Sequence, residues 1–371
     1  MATHEIRIDR RLPLAGEPQT GHNRWHPDIP PALRCEPGDE VLLETRDTFD
    51  GYFDAGSTSK DIEGADFGLV HPLTGPVWVD GAEPGDLLVA EILEVAPEPF
   101  GFTAQVPGFG FLRDDFPEPY LVRWHLADGC AMSDDLPGVR IAGAPFMGVI
   151  GVAPSRELLA TISAREEELA GRDGAVVLLP DPAGAVPAEP AIAGEALRTI
   201  PPREHGGNAD IKQLTAGARL LLPVWVEGAL FSAGDAHFAQ GDGESCGTAI
   251  EMSATLRVRF DLRKGQAAER GIRTLCWERD DAGPAEAARP GGYFATTGIC
   301  VGRDGRNEFE DLTLAARNAL DAMLGHLTTE YGYTRQQAYA ICSVAVDLKI
   351  SQVVDVPNVI VSAFLPLDIF A

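Results

Sequence analysis

The sequence predicts a mainly β fold, a β-sandwich with two helices near its C-terminal end. Three observations carry that prediction. First, 40 glycines and 28 prolines divide the 371 residues into short segments. Second, most of these segments are rich in Val, Leu and Ile and bounded by turn residues, the pattern of strands. Third, the clearest three-to-four apolar spacing, the period of a helix, comes late in the chain, over 311–331.

The first strands are expected at Glu40–Thr45 (EVLLET), Pro76–Asp80 (PVWVD) and Asp86–Val95 (DLLVAEILEV). Pro37-Gly38-Asp39 recurs as Pro84-Gly85-Asp86, each time followed by an apolar strand. A Pro-Gly pair suits a turn whose third residue has positive φ, so two similar strand entries are expected. Further strands are expected at Gly148–Val152, Val176–Leu179, Arg219–Val226, Ala249–Phe260, Tyr293–Gly302 and Asn358–Phe364. Residues 155–170 read as a helix with Glu166, Glu167 and Glu168 on its solvated face. In the later helix Leu312, Ala316, Leu320, Met323 and Leu327 line one face. Gly332 ends it, and Thr334 suits the N-cap of a second helix reaching about Asp347. Residues 181–196 read as a flexible connection and 262–290 as a charged surface excursion.

At this length either one large domain or two closely packed ones is expected. The division drawn is a core over 1–260 carrying the functional residues, with a strand-and-helix region over 261–371 packed on it, or the two as one continuous domain. The net charge of −26 argues against nucleic acid and anionic lipid as partners. Neither a secretory apolar core near the N-terminus nor a run of about 20 apolar residues is present, so a cytoplasmic protein is expected. The six cysteines lie far apart without paired spacing, which suits reduced thiols.

The most informative segment for chemistry is Gly234–Glu251, GDAHFAQGDGESCGTAIE. Asp235 and His237 are two apart and on a strand project from one face, able to offer a carboxylate and an imidazole to one divalent cation. Gly241 and Gly243 permit a tight turn, placing Glu244 just beyond it. An Asp-x-His pair alone is more often a hydrogen-bonded loop than a metal site. Other polar clusters add weight. His22 and His26 lie in HNRWHPD, where the following prolines favour an extended chain over a helix. Asp47 and His71 sit at strand ends, and His205, Asn208 and Asp210 surround a Gly-Gly pair. In that last cluster a turn stabilised by Asn and Asp is as good a reading as a carbonyl-binding site. Trp25, Phe53, Trp225 and Phe238 are pocket candidates, although bulky aromatics in β proteins are usually core.

These segments together resemble the acetamidase/formamidase family. The resemblance rests on GHNRWHPDIPP at 21–31, ETRD at 44–47, HPLTGPVWVDGAEPGD at 71–86 and PFMGVIGVAP at 145–154. It continues through PPREHGGNADIKQL at 201–214 and LPVWVEGALFSAGDAHFAQGDGE at 222–244, in family order. It implies hydrolysis of short aliphatic amides to carboxylate and ammonia, a divalent metal (zinc rather than calcium), a sandwich of jelly-roll character and a homo-oligomer. Some relatives resemble γ-lactamases, so the implied substrate is a small neutral amide or a lactam. The ligand set proposed on this basis is Asp47, His71, Asp235 and His237, with Glu244 as general base. Gln240, His205 and Asn208 are candidates to orient the amide, and His22 and Asp242 to support ligating imidazoles.

Two other amidase chemistries fit less well. Cys246, Glu244 and Lys212 sit badly for a Cys-Glu-Lys site, since Cys and Glu are only two apart, and no Gly/Ser-rich signature marks a Ser-Lys enzyme. A non-catalytic sandwich binding calcium or another ligand is the reading from a different class. His71 and His237 weigh against calcium, which prefers oxygen.

Overall fold

The structure, a computed structural model, describes residues 2–110, 117–136, 140–173, 175–241, 243–244, 246–281, 283–284, 292–333, 338 and 346–367. Its mainly β character follows the segment pattern. Among the described residues eighteen strands hydrogen-bond into one network, and two short strands pair separately. Two long strands form the trunk: Leu87–Gln105 runs antiparallel to Glu251–Arg263, with register shifts near Met252 and Arg257. Glu40–Thr45 lies along the other edge of Glu251–Arg263. Arg219–Pro223 pairs with Leu87–Gln105 and passes the ladder to Cys276–Arg279, then to Tyr293–Gly298 and Ile360–Pro366. The hydrogen-bonded network thus crosses position 260 without interruption. Its main core draws Val41, Leu43, Leu88, Ile92, Leu222, Phe231, Val258 and Phe260 from strands far apart in sequence.

The repeated Pro-Gly-Asp turns take the same form. Gly38 and Gly85 have φ of 93° and 95°. In each, the Asp backbone N–H donates to the carbonyl three residues back, Asp39 to Glu36 and Asp86 to Glu83. The Asp carboxylates then tie the turn to distant chain: Asp39 accepts from the Ala2 amide and Asp86 from the Gly265 amide and Lys264 Nζ.

The two long helices fall at Arg156–Ala170 and Leu312–Tyr331. Ser155 and Asp311 cap them by accepting from Leu158 and Leu314 amides, and Gly332 closes the second in the left-handed region. The helix expected from Thr334 to about Asp347 lies outside the described residues apart from Ala338, Val346 and Asp347, and Asp347 instead opens the strand Asp347–Gln352. Glu166 departs from its expected solvated face: it is fully buried and pairs with Arg203 through 2.7 and 2.9 Å hydrogen bonds. A bidentate guanidinium satisfies both carboxylate oxygens, which is what allows a charge in such a place. Residues 176–179 form no strand. The 181–196 connection is anchored, since Arg24 donates to the Asp181 and Ala183 carbonyls and Asn23 bonds both Gly184 and Val186. The 262–290 stretch is likewise more than an excursion, for Cys276 and Trp277 are buried in its strand. Both departures arise because burial there is supplied by distant partners that local composition does not reveal. No helix of the described residues is long and apolar enough to cross a membrane, and the five described cysteines are free.

One consequence for stability arises on the second helix. His326 stacks on Phe294 at 3.6 Å between ring centroids, and burial pushes its pKa down to about 4. A histidine that binds its proton less readily when folded contributes stability that is complete above its unfolded pKa of about 6.5 and lost as pH falls toward 4. At pH 5 the loss is about 1–2 kcal/mol. His326→Phe keeps the stack and should flatten the fall of Tm between pH 7 and 5. Parallel profiles for variant and wild type would exclude this role.

Candidate active site

The centre of the site is the strand Phe231–His237, every residue of which is buried. It lies between Phe146–Gly151 and Leu73–Val79. Beyond Ala236 it meets the start of Glu251–Arg263, where His237 and Glu251 are direct antiparallel partners. Direct partners share a face of the sheet, so this register delivers an imidazole and a carboxylate side by side. His237 Nε2 lies 3.2 Å from Glu251 Oε2 and 3.4 Å from Asp235 Oδ2, and it forms no hydrogen bond among the described residues. Glu244 Oε1 stands 4.0 Å from the same nitrogen, and His71 Nε2 is 3.9 Å from Asp235 Oδ2. Asp210 approaches from the other side of the ring, 3.9 Å from Nδ1.

The orientation of His237 is fixed by Gln240. The Gln240 amide nitrogen is committed to the carbonyls of Asp210 (2.9 Å) and Ser351 (3.3 Å), so its oxygen accepts from Nδ1–H of His237 at 2.9 Å. Nε2 is therefore the nitrogen presented to the carboxylates. The Thr48 hydroxyl touches both Asp235 and Glu251. Having one proton it donates to only one of them, and Glu251, pushed up to about 7 chiefly by burial, is suited to hold a proton itself.

The electrostatics follow from so many acids in so little water. Burial, reinforced by Asp210, holds the Glu244 carboxyl well above its ordinary range, and burial with Asp210 does the same to Asp355. Against the opposing effect of burial, His71 and His237 hold Asp235 well below it. His237 also resists burial, its imidazole held well above 6.5 by Glu251 and Asp235. The carboxylates thus call for positive charge at Nε2, from a proton or from a metal.

Backbone shape supports the same cluster. Asp210, Asp235 and Glu244 have φ of 46°, 54° and 45°. The left-handed region costs a residue with a Cβ about 1–2 kcal/mol, and here it is imposed on three acids of one site. Gly148 supplies the room. A Cβ there would stand 2.5 Å from Asp210 Oδ1, 2.7 Å from Asp235 Oδ2 and 2.8 Å from His237 Cε1.

Of the residues singled out in the sequence, Asp235, His237, His71, Glu244 and Asn208 come together. Gln240 stands behind His237 and holds the ring. Asp47 does not join them: its carboxylate accepts from the Phe49 and Gly51 amides at 3.0 and 3.2 Å and so shapes the loop that carries Thr48 and Phe49. His22 donates from Nδ1 to the Arg24 carbonyl and accepts from the Ser232 hydroxyl, pinning chain rather than supporting an imidazole. His205 is buried with its ring edge-on to Trp25, 5.0 Å between centroids. Asp242 lies outside the described residues. Sequence reasoning singled out Asp210 only beside the Gly-Gly pair, and it missed Thr48, Gly148, Glu251 and Asp355 as members of the cluster. Glu251 carried no local signal: alternation groups it with Ser253, Thr255, Arg257 and Arg259 on the polar face of its strand, and a register shift between Met252 and Ala254 separates it from that pattern.

A pocket of about 420 Å³, counting its open mouth, reaches this cluster. Thr48, His71, Asn208, Asp235, Glu244, Thr248, Glu251 and Asp355 make its polar lining, and the remainder is Gly247 with aromatic and aliphatic side chains. Trp25, Trp225, Phe53 and Phe238 are core residues instead.

The model of the acetamidase/formamidase family matches residues 7–371. The chain belongs to the acetamidase/formamidase family. It is 38% identical to a formamidase of Methylophilus methylotrophus, over 94% of this chain and 89% of that one. It is 37% identical to an acetamidase of Mycolicibacterium smegmatis, over 90% and 87% respectively. Among solved structures it superposes on a gamma lactamase from Delftia acidovorans with a TM-score of 0.73 and 37% identity, covering 99% of this chain and 93% of that one. Membership of this family makes the protein a hydrolase of amide carbon–nitrogen bonds.

Proposed function

We propose that the protein hydrolyses small aliphatic amides of the formamide and acetamide type to carboxylate and ammonia, using a divalent metal, zinc before calcium. The observation that carries this reading is His237. Its Nε2 is buried without a hydrogen bond, its other nitrogen is tied to Gln240, and Asp235 and Glu251 oxygens stand within 3.4 Å. The three side chains offer ligand atoms close enough together to share one ion. One imidazole with carboxylates, and a second imidazole at His71, is a donor set that zinc accepts and calcium does not prefer.

A divalent metal held there supplies a Lewis acid and lowers the pKa of water to about 7. The chain's own residues do the rest. Glu244, at the pocket surface, takes a proton from the attacking water and passes it to the departing nitrogen. Asn208, which lines the pocket, donates from its side-chain amide to the substrate carbonyl oxygen in this reading. The apolar lining keeps bulk water from the acyl side, where it would weaken each of these interactions.

The test is ammonia release from formamide, acetamide and propionamide, with opening of a bicyclic γ-lactam followed separately. Each is assayed on protein as purified, after chelation and after zinc is restored. Turnover lost with the metal and regained with zinc is the expected result. Activity unchanged after complete chelation would remove the metal from the reading. The lactam is included because 37% identity to a gamma lactamase extends over nearly the whole chain. Lactam opening in preference to the open-chain amides would favour that second substrate class for the same site.

A further inference from the structure

We infer that Phe67 and Phe109 set the upper limit on acyl chain length, so that the pocket selects short, neutral amides. The inference rests on the amidase reading above. Its starting point is how an amide must lie. The carbonyl and nitrogen need polar partners, which the pocket offers from His71, Asn208, Asp235 and Glu244, whereas the Thr248 hydroxyl is already bonded to Ala104. The acyl group is then left to face the apolar lining.

That lining is an aromatic row. Phe49 follows Thr48, whose hydroxyl touches Asp235 and Glu251, so the row begins beside the reacting groups. Phe67 meets Phe49 edge-on at 5.5 Å between centroids, and Phe109 continues it 6.3 Å from Phe67. The members differ in freedom. Phe49 is buried and locked against Phe53 and Phe102. Phe67 and Phe109 are only half-buried, as expected of side chains at a mouth. Phe109 is also backed by the loop that carries Glu244: a Cβ on Gly247 would stand 2.5 Å from its ring. It therefore cannot swing toward that loop to admit a longer chain.

An acyl chain growing from the carbonyl runs along this row and then meets the Phe67 and Phe109 rings, of which Phe109 has Gly247 packed against it. Within the row each added methylene is worth about four-fold in kcat/KM by burial. Past it, further carbons meet the rings and that gain ends.

The experiment measures kcat/KM for formamide, acetamide, butyramide and hexanamide with the wild type, Phe67→Ala, Phe109→Ala and the double variant, all zinc-loaded. The readout is the ratio of hexanamide to acetamide. It is expected to rise at least ten-fold in one single variant and further in the double. Phe67→Leu and Phe109→Leu, which keep most of the packing, should give intermediate ratios and stand in where an alanine variant fails to fold. Ratios within two-fold of wild type in all folded variants would overturn the inference while leaving the amidase reading in place. A wild type that releases ammonia from none of the four amides would overturn both.

Discussion

Replacing Glu244 by Gln is expected to lower ammonia release by about 10²- to 10⁴-fold while the bound metal is retained, since Gln keeps the volume and removes the proton acceptor. Two features favour this residue as the base, although Asp210, His237 and Glu244 also lie close enough together to share an ion. Its Oε1 is 4.0 Å from His237 Nε2, farther than the Asp235 and Glu251 oxygens, and it lines the pocket where water and substrate arrive. Its backbone is also held at φ 45°, a conformation that aims a short-turn side chain into the pocket at a cost in stability. Metal content by plasma mass spectrometry, read beside the rate, decides the matter. Metal lost together with activity would make Glu244 a ligand.

Gly148→Ala is expected to weaken metal binding sharply although it adds only one methyl group. Gly148 is an ordinary strand residue without positive φ, so its value lies in space alone. The added Cβ would press at once on Asp210, Asp235 and His237, each at less than 3.0 Å, and none of these can retreat because each is buried. Overpacking of this kind costs about 1–3 kcal/mol in stability, and the displaced carboxylate and imidazole should weaken zinc affinity by about 100-fold. Glu251→Gln should lose metal to a similar degree. Asp47→Asn should keep its metal, because Asp47 accepts from backbone amides and belongs to neither donor cluster found among the described residues. Zinc titration against a competing chelator measures all three. Normal zinc affinity in folded Gly148→Ala, or its loss in Asp47→Asn, would redraw the ligand set.

Much of this was legible in the chain itself. Alternating segments between Pro and Gly gave the strands, because alternation with turn residues has few other solutions. The Asp235-x-His237 pair was legible because two-residue spacing on a strand puts both side chains on one face whatever else the protein does. The distinctive segments from GHNRWHPDIPP to FAQGDGE carried the family. Glu166 shows the limit: in a run of three glutamates nothing local distinguishes the one that meets Arg203. Asp47 shows it again, since ligand-type residues at strand ends serve turns as readily as metals.

By itself, then, the sequence determined the mainly β class, the family and the pairing of Asp235 with His237, all of which depend on local period, turn chemistry and short motifs, while the strand Phe231–His237 was not among those it marked. Only the tertiary structure decided which residues surround that histidine. Pairing of His237 with Glu251 is a register between strands, and the approach of Thr48, Gly148, Asp210 and Asp355 spans more than 300 residues of chain. Such contacts are fixed by packing and by the need to pair buried charges. These are properties of the folded whole, with no period or spacing along the chain to announce them.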